Sequence, residues 1–150
     1  MATEASGNQV TITLPLAQDA VPLQPLPHKP RKERKLRVLA VDDEALVLKA
    51  FGRALNGHEV LLASSGREAI ELLRAGGPFD LILCDVMMPD LTGADVFSAV
   101  SKVHPGTESR IVFVTGGAFT SAAQKFLDSV PNRRIEKPFS VDMIQALLPE

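Results

Sequence analysis

The stretch LILCDVMMPD, residues 81–90, runs four apolar side chains directly into Asp85, then turns through two methionines and Pro89 to a second acid, Asp90. LILC has the length and composition of a buried strand. A carboxylate at its end costs free energy unless something pairs with it. What could pair with Asp85 depends on what the rest of the chain brings to the same place.

Outward from that strand, apolar runs and helical patterns alternate. LRVLAV (36–41), HEVLLA (58–63), LILC (81–84), RIVFVT (110–115) and the short segment 133–136 read as five strands. Between them, EALVLKAFGRAL places Val47, Ala50, Phe51, Ala54 and Leu55 on one helical face. Ser65 with Glu68 forms a capping-box pattern ahead of Ile70, Leu72 and Leu73, and Gly76, Gly77 and Pro78 stop that helix. Thr92 caps a helix carrying Val96, Phe97, Val100 and Val103, which His104, Pro105 and Gly106 end. A fourth helix is expected over 121–130. Ser140 caps a fifth, a short one with Val141, Ile144, Leu147 and Leu148 inward. Five strand–helix repeats with apolar strands imply an α/β fold, a doubly wound parallel sheet with helices on both faces.

Before residue 36 the pattern changes. Five of the eleven prolines lie between residues 15 and 30, which reads as an extended, semi-rigid linker, and RKERK (31–35) is a solvated charge run at a domain edge. Residues 1–35 are therefore expected to be a tail and 36–150 the single folded domain. From residue 36 onward there are 11 basic against 15 acidic residues, a net of −4, which speaks against nucleic-acid binding by this domain. Cys84 is the single cysteine, so no intrachain disulfide can form; its simplest role is that of a small buried apolar side chain. No basic start precedes an apolar block and no run reaches transmembrane length. A cytoplasmic location without membrane contact by this segment is the expectation.

In such sheets the ligand crevice lies at the carboxyl ends of the strands. There the sequence puts Asp42 and Asp43, Asp85, Thr115 and Gly116, and Lys137 and Pro138. Each has an ordinary explanation alone: Asp42, Asp43 and Glu44 could simply favour a helix start. Neighbouring first and third strands would, however, bring three carboxylates together, each raising the pKa of the others. A divalent cation relieves this, and an all-oxygen ligand set suits Mg²⁺. Thr115 and Lys137 then offer donors opposite, leaving room for a small dianion. A carboxylate nucleophile facing positive charge is the equipment of phosphoryl transfer through an acyl phosphate. Asp85 is the candidate nucleophile because it stands singly at the central strand tip, with Asp42 and Asp43 as the metal-holding pair.

DDE at 42–44, CDVMMPDLTG at 84–93, VTGG at 114–117 and KPF at 137–139 together resemble the motif set of the two-component receiver domain, the phosphoacceptor module of response regulators. The resemblance spans about residues 36–150. It implies a flavodoxin-like sheet of strand order 2-1-3-4-5 and phosphorylation of Asp85 by the phosphohistidine of a histidine kinase, or exchange with a histidine phosphotransfer domain. It further implies Mg²⁺ held by Asp43, Asp85 and the backbone carbonyl of Met87, with Asp42 acting through water. Thr115 and Lys137 would contact the phosphoryl oxygens, the Lys137–Pro138 bond would be cis, and Gly116 would keep the approach open.

Three features depart from that pattern. Arg134 occupies the position, three before the lysine, where the family usually carries an aromatic ring that turns inward. A guanidinium cannot follow it without a partner, so switching is expected to run through Thr115 and the loop after it. Met87 and Gly117 occupy the two positions that often orient the hydrolytic water and have no side chain for it, which implies a long-lived phosphoryl group. The last helix is short.

The segment SGNQVTITLPLA (6–17) alternates Val10, Ile12 and Leu14, and is similar to the closing strand of a histidine kinase ATP-binding domain. With the linker, it suggests the C-terminal receiver of a hybrid histidine kinase; a stand-alone single-domain response regulator is the alternative. Thirteen residues follow Lys137, too few for a DNA-binding domain there, so output is expected through protein contacts. A Mg²⁺-dependent aspartyl phosphohydrolase would want an acid where Met87 stands, an interaction module without phosphorylation would not need the five polar residues, and a nucleotide-binding turn would be glycine-rich where this one is acidic.

Overall fold

The computed structural model describes residues 34–117 and 119–150. The linker over 15–30 and the strand-like segment 6–17 lie outside the described residues. Five parallel strands, β1 (Arg37–Val41), β2 (Glu59–Ala63), β3 (Leu81–Asp85), β4 (Ile111–Thr115) and β5 (Arg134–Glu136), form one sheet in the order β2-β1-β3-β4-β5. The helices are α1 (Ala45–Ala54), α2 (Gly66–Ala75), α3 (Gly93–Val103), α4 (Ser121–Ser129) and α5 (Val141–Gln145).

Strand alternation explains the two layers. Leu39, Val41, Ile82, Cys84, Ile111 and Phe113 point to the face covered by α2, α3 and α4. Their neighbours Val38, Ala40, Leu81, Leu83, Val112 and Val114 point to the face under α1 and α5. Every residue of β3 and β4 is buried, so these strands are apolar up to the Asp85 and Thr115 that end them. The outer strands differ: β2 leaves Leu62 41% exposed, and β5 buries only Ile135. Phe97, Phe113 and Phe126 meet edge-on or tilted on one face, while Phe51 stacks on Phe139 at 5.0 Å on the other. That stack fixes the loop between β5 and α5, the loop that follows Lys137.

Helix ends show where local signals decide and where they do not. Thr92 and Asp95 make a complete capping box for α3. At α2 only half of the expected box forms: Ser65 accepts from the Glu68 N–H, but the Glu68 carboxylate turns to Ser64. Asp90 adds a cap of its own, accepting from the next two N–H groups, those of Gly66 and Arg67. The loop leaving β3 is thereby clamped to the start of α2. On α1 the buried stripe is Leu48, Phe51, Ala54 and Leu55, and the expected Val47 and Ala50 stand half-buried. Arg110 belongs to a 3₁₀ turn (Thr107–Arg110) that precedes β4. The last helix is shorter than its periodicity suggested, five residues from Val141, with Leu147 still buried beyond its end. Among the described residues no helix is long and apolar enough to cross a membrane.

Candidate functional site

Pairing of β1 with β3 puts Val41 beside Cys84, so the residues that follow, Asp42 and Asp85, emerge side by side. Asp42 is held there by its N–H, which donates to the Ala63 carbonyl at 3.1 Å. Asp85 is paired with Val114 of β4, and its 5% exposure leaves it almost out of water. Gly93 makes this close packing possible: a Cβ there would lie 3.0 Å from the Val86 Cα and 3.2 Å from the Asp85 carbonyl oxygen.

One oxygen each from Asp42, Asp43 and Asp85 lies within 4.8 Å of the others, the one such cluster of possible metal ligands among the described residues. Asp42 is fully buried and Asp43 is exposed. Asp42 Oδ1 accepts the Glu44 N–H at 2.8 Å, whereas its Oδ2 is buried without an aligned hydrogen bond. The neighbour of that oxygen is the Lys137 ammonium, 2.9 Å away. Asp85 Oδ1 accepts the Met87 N–H at 3.2 Å, and its Oδ2 lies 3.5 Å from Lys137 Nζ.

Burial, and then the negative charge of Asp42, push the Asp85 carboxyl up to about 6, against the opposing pull of the Met87 N–H and Lys137. Burial likewise raises Asp42, although Lys137 and the Glu44 N–H work against it. For Lys137 burial disfavours the charge, but the close carboxylates of Glu44 and Asp42 and the field of Asp85 outweigh it, so the ammonium is held above the ordinary lysine range. The Cys84 thiol beside them is pushed up by burial first and the two carboxylates second. It is an inert part of the core.

Lys137 arrives from the far side of the crevice. Its N–H donates to the Thr115 carbonyl at 2.7 Å, and the Lys137–Pro138 bond is cis. A Cβ on Gly116 would stand 3.1 Å from the lysine Cδ, so glycine gives the stem its path. Thr115 is buried at the tip of β4, where its hydroxyl donates to the Ile135 carbonyl over a long 3.4 Å. Arg134 finds its partner outside the crevice: Nη2 donates to the Leu127 carbonyl near the end of α4 and lies 3.8 Å from Asp128 Oδ1. A cavity of about 780 Å³ opens above the site, with Asp43, Asp85 and Lys137 beside Leu46, Val47 and Phe139. Leu46 is 79% exposed on its rim.

The residues read from the sequence thus divide. Asp42, Asp43, Asp85 and Lys137 converge, and the Met87 backbone joins them. The Thr115 side chain faces Ile135. Glu44 was read as an acid that favours a helix start and as the last letter of the DDE motif, with no role at the site, yet its Oε1 lies 2.8 Å from Lys137 Nζ. The only sequence signal for that contact was a third acid directly after the pair.

A parallel sheet of this order, with three aspartates at its centre facing a lysine from the last strand, defines a flavodoxin-like domain with an acidic pocket. The family model of the response regulator receiver domain matches residues 38–148, and the chain belongs to that family. Among similar proteins are the response regulator MprA of Mycolicibacterium vanbaalenii, 34% identical over 74% of this chain and 48% of the relative, and two-component response regulator 24 of Arabidopsis thaliana, 30% identical over 77% and 84%. The sensor kinase CckA of Brucella abortus is 33% identical over 75% of this chain but only 12% of its own length. The chain thus spans about half the length of MprA and about an eighth of that of CckA. The crystal structure of a response regulator receiver protein from Sinorhizobium medicae superposes with a TM-score of 0.63 at 28% identity, covering 77% of this chain and 92% of that one.

Proposed function

We propose that residues 36–150 form the phosphoacceptor domain of a two-component phosphorelay, in which Asp85 takes a phosphoryl group from the phosphohistidine of a histidine kinase or of a histidine phosphotransfer domain. The observation that carries this reading is the Asp85 carboxylate at the tip of the central strand, clustered with Asp42 and Asp43 and facing the Lys137 ammonium at 3.5 Å.

In the transfer, an Asp85 oxygen attacks phosphorus as the phosphorus–nitrogen bond of the donor breaks. The imidazole nitrogen leaves with the electron pair and takes up a proton, and an acyl phosphate remains on Asp85. Lys137 balances charge on the phosphoryl oxygens. The Thr115 hydroxyl can give up its long bond to Ile135 at little cost and donate to the same group. The acidic pocket fits a hard divalent cation: Asp42 Oδ2 is a buried oxygen lacking an aligned donor, and every available ligand is oxygen. Asp43, Asp85 and the Met87 carbonyl would hold Mg²⁺, with Asp42 acting through water, and bound Mg²⁺ would supply further positive charge to the transferring phosphoryl group. The apolar wall of Leu46, Val47 and Phe139 beside the pocket gives a protein donor something to rest on.

Response regulators and sensor kinases both stand among the relatives, and this reading holds for either kind of parent chain. The sequence of the segment 6–17, taken with the linker that follows it, supports an origin in a hybrid kinase. The test is incubation with Mg²⁺ and a ³²P-labelled small phosphodonor such as phosphoramidate. Label should attach to the native chain, fail to attach when the metal is chelated beforehand, and fail to attach to Asp85→Asn. Equal labelling of Asp85→Asn would refute the assignment.

A further inference from the structure

Glu44 stands directly before α1, yet its side chain makes no cap bond to that helix. It crosses instead to a residue 93 positions away, with Oε1 2.8 Å from Lys137 Nζ. Three carboxylates therefore surround one ammonium, at 2.8 Å for Glu44, 2.9 Å for Asp42 and 3.5 Å for Asp85. The first two are distances of charge-assisted hydrogen bonds, and the third is at the limit of a contact. The lysine stem is confined where it passes Gly116, so its tip is the part free to choose among acceptors. The acceptors differ in kind: Asp42 is fully buried, while the Glu44 side chain is 60% exposed and can release its partner to water.

We propose, on the reading of Asp85 as phosphoacceptor, that Glu44 is a positioning residue for Lys137: its carboxylate holds the ammonium beside Asp42 and off Asp85 in the resting protein, and competes for it with the phosphoryl group once Asp85 is modified. Before transfer, this leaves Asp85 Oδ2 without a close cation over its lone pairs. After transfer, a dianion on Asp85 draws the ammonium across, and Glu44 opposes the move. Without the Glu44 carboxylate the ammonium settles on Asp85 first and on the phosphoryl group later. Phosphorylation then slows, and the aspartyl phosphate lasts longer. A merely local role in favouring the start of α1 would change stability and move neither rate.

The experiment compares the full chain with Glu44→Gln and Glu44→Asp. The Lys137 side-chain resonances are followed by NMR without metal, and label uptake from phosphoramidate and its decay are followed with Mg²⁺. Glu44→Gln should shift the Lys137 signals and slow both uptake and decay by about two- to fivefold, the scale of one exposed ion pair. Glu44→Asp keeps the charge but reaches one methylene less far, and should behave as Glu44→Gln. A titration with MgCl₂ reads the field alone: affinity should fall in Glu44→Gln and hold in Glu44→Asp. Unmoved Lys137 signals, an unchanged decay, or native behaviour of Glu44→Asp would each overturn the role of Glu44, while labelling of the native chain and not of Asp85→Asn leaves the phosphoacceptor reading standing. Absence of label from the native chain would overturn both.

Discussion

Asp85 should make the metal-free protein lose stability as pH rises, and Asp85→Asn should remove that loss. Burial and the adjacent Asp42 move the carboxyl from an ordinary 3.8 to about 6 in the folded chain. Between those values the folded state binds more protons than the unfolded state, so stability is full below about pH 4 and falls as pH passes through about 6. A displacement of that size corresponds to about 3 kcal/mol at pH 7, and Asp85 is only 5% exposed, so solvent screens little of it. Asn at 85 stays neutral throughout. The stability of the variant relative to the native chain should therefore rise by about 3 kcal/mol from pH 4 to pH 7, or roughly 10 °C in Tm for a domain of this size. Raised Asp42 adds to the fall in the native chain and is relieved in the variant, while Asp90, held low first by the Arg67 N–H, acts in the opposite sense in more acid solution and is common to both. With no Trp or Tyr in the chain, urea unfolding in EDTA is best followed by circular dichroism at 222 nm. A stability difference that stays constant from pH 4 to pH 7 would refute the claim that a buried, mutually repelling carboxylate sits at this strand tip. Added Mg²⁺ should narrow the difference by stabilising the native chain through mass action.

Gly66→Ala should destabilise the domain by about 1–3 kcal/mol, because its Cβ would lie 2.6 Å from the Leu91 Cβ and 3.2 Å from the Leu91 carbonyl oxygen; a thermal melt checks this, and an unchanged Tm would deny the close seating of the β3–α3 loop on α2. Met87→Asn places an amide at a half-exposed position on the rim of the pocket where the thioether cannot orient water. Loss of label from the phosphorylated protein should speed up by about three- to tenfold, the worth of one hydrogen bond, and an unchanged decay would count against the reading of Met87.

Much of the site was legible because its residues sit at the ends of apolar runs. Where LRVLAV meets Asp42 and LILC meets Asp85, a change from buried to charged is visible in the chain itself, and parallel pairing of β1 with β3 does the rest. The capping box of Thr92 and Asp95 was half legible for a similar reason: Thr92 could be read as a cap, since both partners lie within one turn. Contacts between distant residues were less legible. Ser65 and Glu68 matched the same local pattern, but the first turn of α2 takes its second acceptor from Asp90, 23 residues on from Arg67. The exposure of β2 and β5 follows from their place in the sheet, which apolar content alone does not encode. Arg134 was recognised as a departure, but its partner is a main-chain carbonyl of α4 that carries no signature in sequence. Glu44 was hidden by a sufficient local explanation, a helix start, that the side chain does not take up.

The same geometry bears on why position 85 carries an acid at all. The side-chain contacts that Asp85 makes are the Met87 N–H on Oδ1 at 3.2 Å, which an amide oxygen could equally accept, and the Lys137 ammonium 3.5 Å from Oδ2, at the limit of a hydrogen bond. Packing gives no reason for a charge either, since the carboxylate stands beside another that raises its pKa. Lys137 does not resolve the conflict, because its shorter contacts go to Asp42 and Glu44. Without metal, folding alone therefore gives little reason for a charge at 85, whereas the proposed function requires one, because Asn can neither bind a hard cation as an anion nor attack phosphorus as a nucleophile. The strain that burial places on Asp85 is the same quantity that a bound cation relieves, so the destabilisation measured without metal and the affinity measured with it should rise and fall together across variants of the pocket.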